Sequence, residues 1–422
     1  MKMKNNYVYT NDKLNKVFFY LLFMICNFNA VFSIFIPRTV YTIAYIFVLF
    51  VSLFFWGKQS QFKFSSSELR RDGFVIIFIF ICVLRYAIQM IYGDVTSLSF
   101  QRLFQTIIPV LIYFAAIKLD ARNSEDLEMF FVNCAAISVA LGLLNQLVEI
   151  IPASYFSNEM SYVGKMAVSR SYSMAGLSLG TGVICGISFG FILKNSKVIK
   201  KKFFFIYMLI FAIGVIKTFS RGGVFFSLIV FSMFGLLSVI WSKNNLSKRT
   251  VISISLAIVL FSLLIIVYGD KIQESVFYKK YFVYGFDKQG SIRSSFQMRA
   301  INLIRKYPLL GRGFGFVGSN AYIYSIGEGF PPENNYFQMA IECGLIATIL
   351  YFGFVIKIII ANLKSKESEK KALIGIILGF LAWSVMSTPI EGDINAAVFW
   401  YCLARLSVKD DMLKSDVDDS GA

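Results

Sequence analysis

Two parts of this sequence have residue types and spacing suited to chemistry. The first is Thr218-Phe219-Ser220-Arg221-Gly222-Gly223, which separates two apolar runs with almost no loop. It sets a guanidinium at the edge of an apolar run, beside glycines that permit close backbone approach or an unusual dihedral. A tight turn with a snorkelling arginine fits the same spacing. The second part is residues 269–333, with cations at Lys271, Lys279, Lys280, Lys288, Arg293, Arg299, Arg305, Lys306 and Arg312. Its acids are Asp270, Glu274, Asp287, Glu328 and Glu333. A planar guanidinium binds two phosphate oxygens at once, so such a cluster suits an anionic substrate. A solvated amphipathic helix accounts for many of the same charges.

Several other chemistries are excluded. The chain contains no histidine, which removes imidazole zinc sites and every Ser-His or Cys-His nucleophilic pair. All six cysteines lie inside apolar runs, so they do not form a disulfide framework outside them. Glu391 and Asp393 offer two oxygen ligands to a metal, or the polar tip of a hairpin; no other metal constellation is present, and no P-loop glycine pattern. A net charge of +17 points to nucleic acid only when it forms a basic patch on a soluble fold. Here Lys and Arg stand in short tracts beside apolar runs, as in membrane proteins.

The elements that must position these residues follow from composition. With 57% hydrophobic and 16% charged residues, against about 25% charged in soluble domains, the chain cannot cover itself with a water-facing surface. Apolar runs near 20 residues span a hydrocarbon core, and the sequence contains about twelve. The expected fold is therefore all-α: a polytopic membrane protein with about twelve transmembrane helices and one large extracytoplasmic loop. Residues 1–16 form a cytoplasmic segment, 17–268 hold nine spans with a smaller outer loop at 151–172, and 269–333 form the large loop. Residues 334–408 hold three more spans, and 409–422 form a cytoplasmic tail. Both termini are placed inside because more than half of the Lys and Arg fall in the short loops of that side. Within the large loop, Phe296, Ala300, Leu303 and Tyr307 recur at helical spacing, with Arg299, Asn302 and Lys306 on another face. Pro308 and Gly311 end that helix. No repeat relates the two halves, which argues against a symmetric transporter.

Ser220-Arg221-Gly222 between two spans resembles the SRG element of the O-antigen polymerase and ligase superfamily. Arg293, followed by Pro308-Leu309-Leu310-Gly311-Arg312-Gly313-Phe314-Gly315, resembles that family's outer-loop signature. Glu333-Asn334-Asn335-Tyr336-Phe337-Gln338, running on to Glu342-Cys343-Gly344-Leu345-Ile346, is similar to its "HNxYLQ…ExGLIG" element. Arg170-Ser171-Tyr172-Ser173 is a weaker match to an "RxxG" element and lacks its glycine. The ligases place a histidine where this chain has Glu333, so the resemblance leans to the Wzy-type polymerases.

The resemblance implies an inverting, cofactor-free and metal-independent membrane glycosyltransferase similar to the GT-C type, in the bacterial inner membrane. It would move a glycan from undecaprenyl diphosphate onto a second lipid-linked repeat unit, for O-antigen or capsule. A chain-length regulator and a flippase are implied as further partners beside membrane lipid, and no nucleic acid. Cations placed where negative charge develops on the leaving diphosphate lower the barrier. Arg221 and Arg293 are the candidates for that role. Glu333 is the candidate base for the attacking hydroxyl, although an acid before a helix also serves as a cap. Arg170, Arg299, Lys217, Asn334 and Tyr336 are assigned to diphosphate or glycan binding. An O-antigen ligase, or a lipid-linked oligosaccharide flippase or transporter, is the alternative. Arg85, Lys217 and Arg405 lie within or near spans, where charge is costly and often functional. Glu342 is expected to pair with a basic residue across a helix interface, and Lys357 to snorkel.

Overall fold

The computed structural model describes residues 2–59, 66–148, 151, 160–163, 166–169, 173–176, 178–196, 198–218, 220–241, 289–318, 330–385, 387 and 395–408. The expected span at 250–268, Arg170, and the metal candidates Glu391 and Asp393 lie outside them. The described helices are α1 (Lys2–Phe35), α2 (Arg38–Gln59), α3 (Ser66–Ile91), α4 (Ser97–Ala116), α5 (Ala121–Leu147), α6 (Ser178–Lys194), α7 (Lys201–Lys217) and α8 (Arg221–Trp241). They continue with α9 (Gln289–Lys306), α10 (Asn335–Asn362), α11 (Ser368–Trp383) and α12 (Asn395–Ser407). Helix α1 begins inside the basic N-terminal segment rather than after it.

Among the described residues, six segments are long and apolar enough to cross a membrane: Leu14–Phe35, Arg70–Ile91, Ser97–Ala116, Asn123–Leu147, Gly222–Ile240 and Asn335–Asn362. The protein is a multi-pass membrane protein. Its exposed side chains agree, since Phe47, Phe80, Ile349 and Ile360 all face outward, a surface that only lipid would cover without penalty. One departure from an all-helical chain is a small hairpin in the 151–172 loop. Strands β1 (Met160–Val163) and β2 (Met166–Ser169) pair antiparallel, with Met160 opposite Ser169 and Val163 opposite Met166. Tyr162, Val163 and Val168 favour strand, and Gly164 lies between the strands in the sequence.

The core is built around α12, in which every residue from Ala396 to Leu406 is buried. A helix apolar on all sides packs against protein all round. Tyr401 meets Phe19 and Phe23 at 5.4 Å each, and Trp400 meets Tyr351 at 5.2 Å. Around it, α8 packs on α6 and α11, α10 on α3, and α5 on α1.

Two helices are broken by inserted chain. At Phe28 (φ −126°, ψ 25°) α1 kinks, and the Ala30 amide donates to Met174 O at 3.0 Å. At Gly344 (φ 86°, ψ 168°) α10 kinks. Without a kink Leu345 N would donate to Ile341 O. Instead Leu345 N donates to Pro308 O at 2.8 Å, and Ile341 O accepts from Arg312 N at 2.6 Å. A bilayer offers no water to freed backbone groups, so a kink persists only where protein re-pairs them.

Candidate functional site

The turn between α7 and α8 is held by its own hydroxyls. Thr218 donates to Val215 O at 2.7 Å and accepts from Ser220 N at 3.1 Å. The Ser220 hydroxyl accepts from Gly223 N at 3.3 Å, capping α8. Arg221 is thus the first residue of a helix, where free amides and the dipole favour an anion. Its side chain lies outside the described residues. The glycines after it serve close packing: a Cβ on Gly223 would stand 2.7 Å from the Gly182 Cα of α6, and one on Gly222 would run into the Trp383 indole of α11. Of the two readings of this segment, close backbone approach is the one the packing requires. Lys217, at the end of α7, is exposed.

The start of α10 is fastened to the same end of α11. Asn335 N donates to Ser384 O at 2.8 Å, and Asn334 Nδ2 donates to Val385 O at 3.1 Å. Asn334 Oδ1 accepts from Phe337 N at 3.1 Å, so Asn334 is the helix cap and Glu333 stands outside it. Glu333 therefore stands one residue before the cap. Tyr336 donates to Leu381 O at 2.8 Å and packs on Phe352 at 4.3 Å. The polar atoms of Asn334 and Tyr336, assigned from sequence to substrate, are therefore already engaged within the fold.

Two features at this point suggest a binding role. Glu333 has φ 48°, and it is the one non-glycine residue with positive φ among those described. Such conformations persist where the surroundings impose them, and they cluster at functional sites. Asn335 is completely buried, yet neither its Oδ1 nor its Nδ2 has a hydrogen-bond partner. Buried amides are almost always paired, so Asn335 is a site candidate that sequence pattern alone did not identify.

Helix α9 brings the third group close. Phe296, Ala300 and Leu303 pack with Val317, Phe330 and Ile341, and the rings of Phe296 and Phe330 stack at 5.7 Å. The expected amphipathic face is the buried one, and Arg299, Asn302 and Lys306 are exposed. The helix begins earlier than expected, at Gln289. Arg293 lies about one turn before Phe296, its side chain outside the described residues.

The Pro308–Gly315 signature is mostly architectural. Besides closing the α10 kink, it inserts Phe314, whose backbone N donates to Gln89 Oε1 at 2.9 Å and whose O accepts from Gln89 Nε2 at 3.1 Å. Gly315 N donates to Glu342 Oε1 at 3.1 Å. Glu342 in turn receives a two-pronged contact from Arg102 at 3.1 and 3.0 Å. Glu342 therefore does pair across a helix interface, with a residue of α4. Lys357 reaches Arg70 O at 2.7 Å. Among the described residues no cluster of His, Cys, Asp or Glu could hold a metal ion.

The beginning of α8 and the beginning of α10 each dock on the 383–385 end of α11, and α9 packs on Phe330 and on Ile341 of α10. They carry Arg221, Glu333 and Arg293 respectively. Residues 206–352 match the O-antigen ligase family model. The match spans roughly a third of the chain and runs from α7 through α8 and α9 into α10. It supports the O-antigen polymerase and ligase superfamily, whose members are glycosyltransferase-like membrane enzymes, and it supports both activities equally. No curated protein matches the chain.

Proposed function

We propose that the chain is a polysaccharide polymerase, acting on undecaprenyl-diphosphate-linked repeat units at the outer face of the bacterial inner membrane, with both termini cytoplasmic. What supports this reading is that α8, which opens with Arg221, and α10, which follows Glu333, both dock on the 383–385 end of α11, with α9 packed against α10. In this reaction a hydroxyl of the acceptor sugar attacks the anomeric carbon of the donor, and its proton passes to the Glu333 carboxylate. The anomeric C–O bond breaks, and its electron pair leaves on the diphosphate. Arg221, at a helix N-terminus, and Arg293 stabilise the charge that develops there. Arg299, Lys217 and Arg170 supply further cationic surface, and Asn335 offers a donor and an acceptor to sugar hydroxyls. Inversion at the anomeric carbon and independence of metal and cofactor are carried over from the family resemblance. A chain-length regulator and a flippase would act beside it.

The ligase is the second reading, favoured by the family model's own description. Against it stands the absence of histidine from the chain. Incubating the purified protein in liposomes with a lipid-diphosphate repeat unit separates the readings. A ladder of longer lipid-linked glycans is the expected result. A single transfer onto lipid A-core would identify the ligase, and translocation without elongation a flippase.

A further inference from the structure

A second cationic feature lies between the end of α3 and the Pro308–Gly315 loop. A cleft of roughly 380 Å³ opens there, lined by Arg85, Ile88, Gln89, Tyr92, Asp94, Tyr307 and the Leu310–Arg312 backbone turn. Arg85 is only 7% exposed. Its Nη2 donates to Arg312 O, and its Nε is buried with no acceptor. The one carboxylate in the lining, Asp94, is engaged by Arg312 at 3.1 Å. Gln89 is likewise occupied, by Asp94 O, Ser99 and Phe314. Arg85 therefore carries a buried charge, with a free donor and, among the described residues, no carboxylate in ion-pair contact with it.

Holding the Arg312 carbonyl does not require a charge, since a neutral amide would do so. A cation buried inside a span costs several kcal/mol unless an opposite charge accompanies it. The two guanidiniums outweigh the one carboxylate by a single positive charge, and a phosphate group fits their fork geometry. The rim supplies the rest of the argument. Tyr92 is 77% exposed, and Leu310, which also lines the cleft, is exposed as well. Arg85 lies six residues before the end of the α3 span, so about 9 Å below it, within reach of the headgroup level for a long side chain.

We propose that this cleft binds a phosphate oxyanion, with the apolar rim receiving the chain of the lipid that bears it. The cleft shares no lining residue with those assigned to glycan transfer, and the proposal does not depend on that reading. The test is equilibrium binding to the full-length protein in detergent, with short-chain phosphatidylglycerol in one arm and inorganic phosphate in the other. Saturable binding that weakens about tenfold or more in Arg85→Gln is expected, since hydrogen bonds to charged groups carry that much. Binding in the lipid arm alone identifies a headgroup site, and binding in both identifies free phosphate. Asp94→Asn removes the competing carboxylate and should tighten binding. Ile88→Trp fills the cleft while keeping Arg85 and the loop residues unsubstituted, and should abolish binding in a folded protein. Unchanged affinity in Arg85→Gln, weaker binding in Asp94→Asn, or no saturable binding in either arm would overturn the proposal.

Discussion

The two ends of the helix bundle differ in which buried polar groups they leave without a partner. Where α5 begins and α6 ends, Glu128 is fully buried and its two oxygens receive Lys194 at 2.8 and 2.6 Å, Asn195 at 3.0 Å and Tyr401 at 3.2 Å. Charge, counter-charge and remaining lone pairs are closed into one network joining α5, α6 and α12. Nearby, Tyr113 donates to Asp72 at 2.8 Å, and Arg71 holds the same carboxylate at 2.8 Å. At the other end, Arg85 and Asn335 keep unpartnered atoms, Glu333 is held left-handed, and a cleft stands open. One end is arranged to hold helices together, and the other has capacity left over for something the chain does not supply. Arg405 is the exception at the closed end. Its Nη1 reaches Leu119 O at 2.6 Å while its Nε lacks an acceptor.

Six substitutions would break or sharpen this contrast. Lys194→Met leaves Glu128 buried and unpaired, and should cost about 3–5 kcal/mol of unfolding free energy in detergent. Adding Glu128→Leu should restore much of it. A loss well under 1 kcal/mol in the single variant would mean the closed network is not structural. Arg221→Ala should lower the rate of glycan elongation by about 10²–10³-fold, the usual cost of losing one such charge-stabilising donor. Its stability should hold or rise slightly, because a cation at a helix N-terminus opposes the dipole. Glu333→Gln should slow elongation by about 10²-fold. Glu333→Gly, which relieves the positive φ, should stabilise the fold by about 1 kcal/mol while still losing activity. Unchanged turnover in Glu333→Gln would remove the carboxylate from the mechanism. The smallest effect is expected for Asn335→Leu: about tenfold slower elongation, with stability equal or up by about 1 kcal/mol, since a buried orphan amide is removed. A marked destabilisation there would show that Asn335 serves the closed type of role instead.

The short signatures were readable in sequence, but their roles were not. Ser220-Arg221-Gly222 and Pro308–Gly315 look alike as loose, glycine-containing loops. In three dimensions the first caps a helix and lets α6, α8 and α11 approach closely. The second repairs a broken hydrogen-bond ladder in α10. Glu333 and Asn334 are neighbours with equal claims in sequence. Only the cap geometry assigns Asn334 to the helix and leaves Glu333 outside it. Arg85 was noticeable as a charge inside an apolar run. Its missing partner was not, because partners in a membrane bundle come from other helices.

Composition and apolar run length by themselves determined that this protein spans a membrane many times, because hydrocarbon rewards any apolar segment of sufficient length whatever its neighbours. The amphipathic face of α9 was equally local, being a matter of 3.6-residue spacing. The tertiary structure alone decided which charges are satisfied. A salt bridge such as Arg102–Glu342 joins residues 240 positions apart, and periodicity along one helix carries no information about the helix it meets. The two ends of the bundle differ because pairing is a property of helix packing.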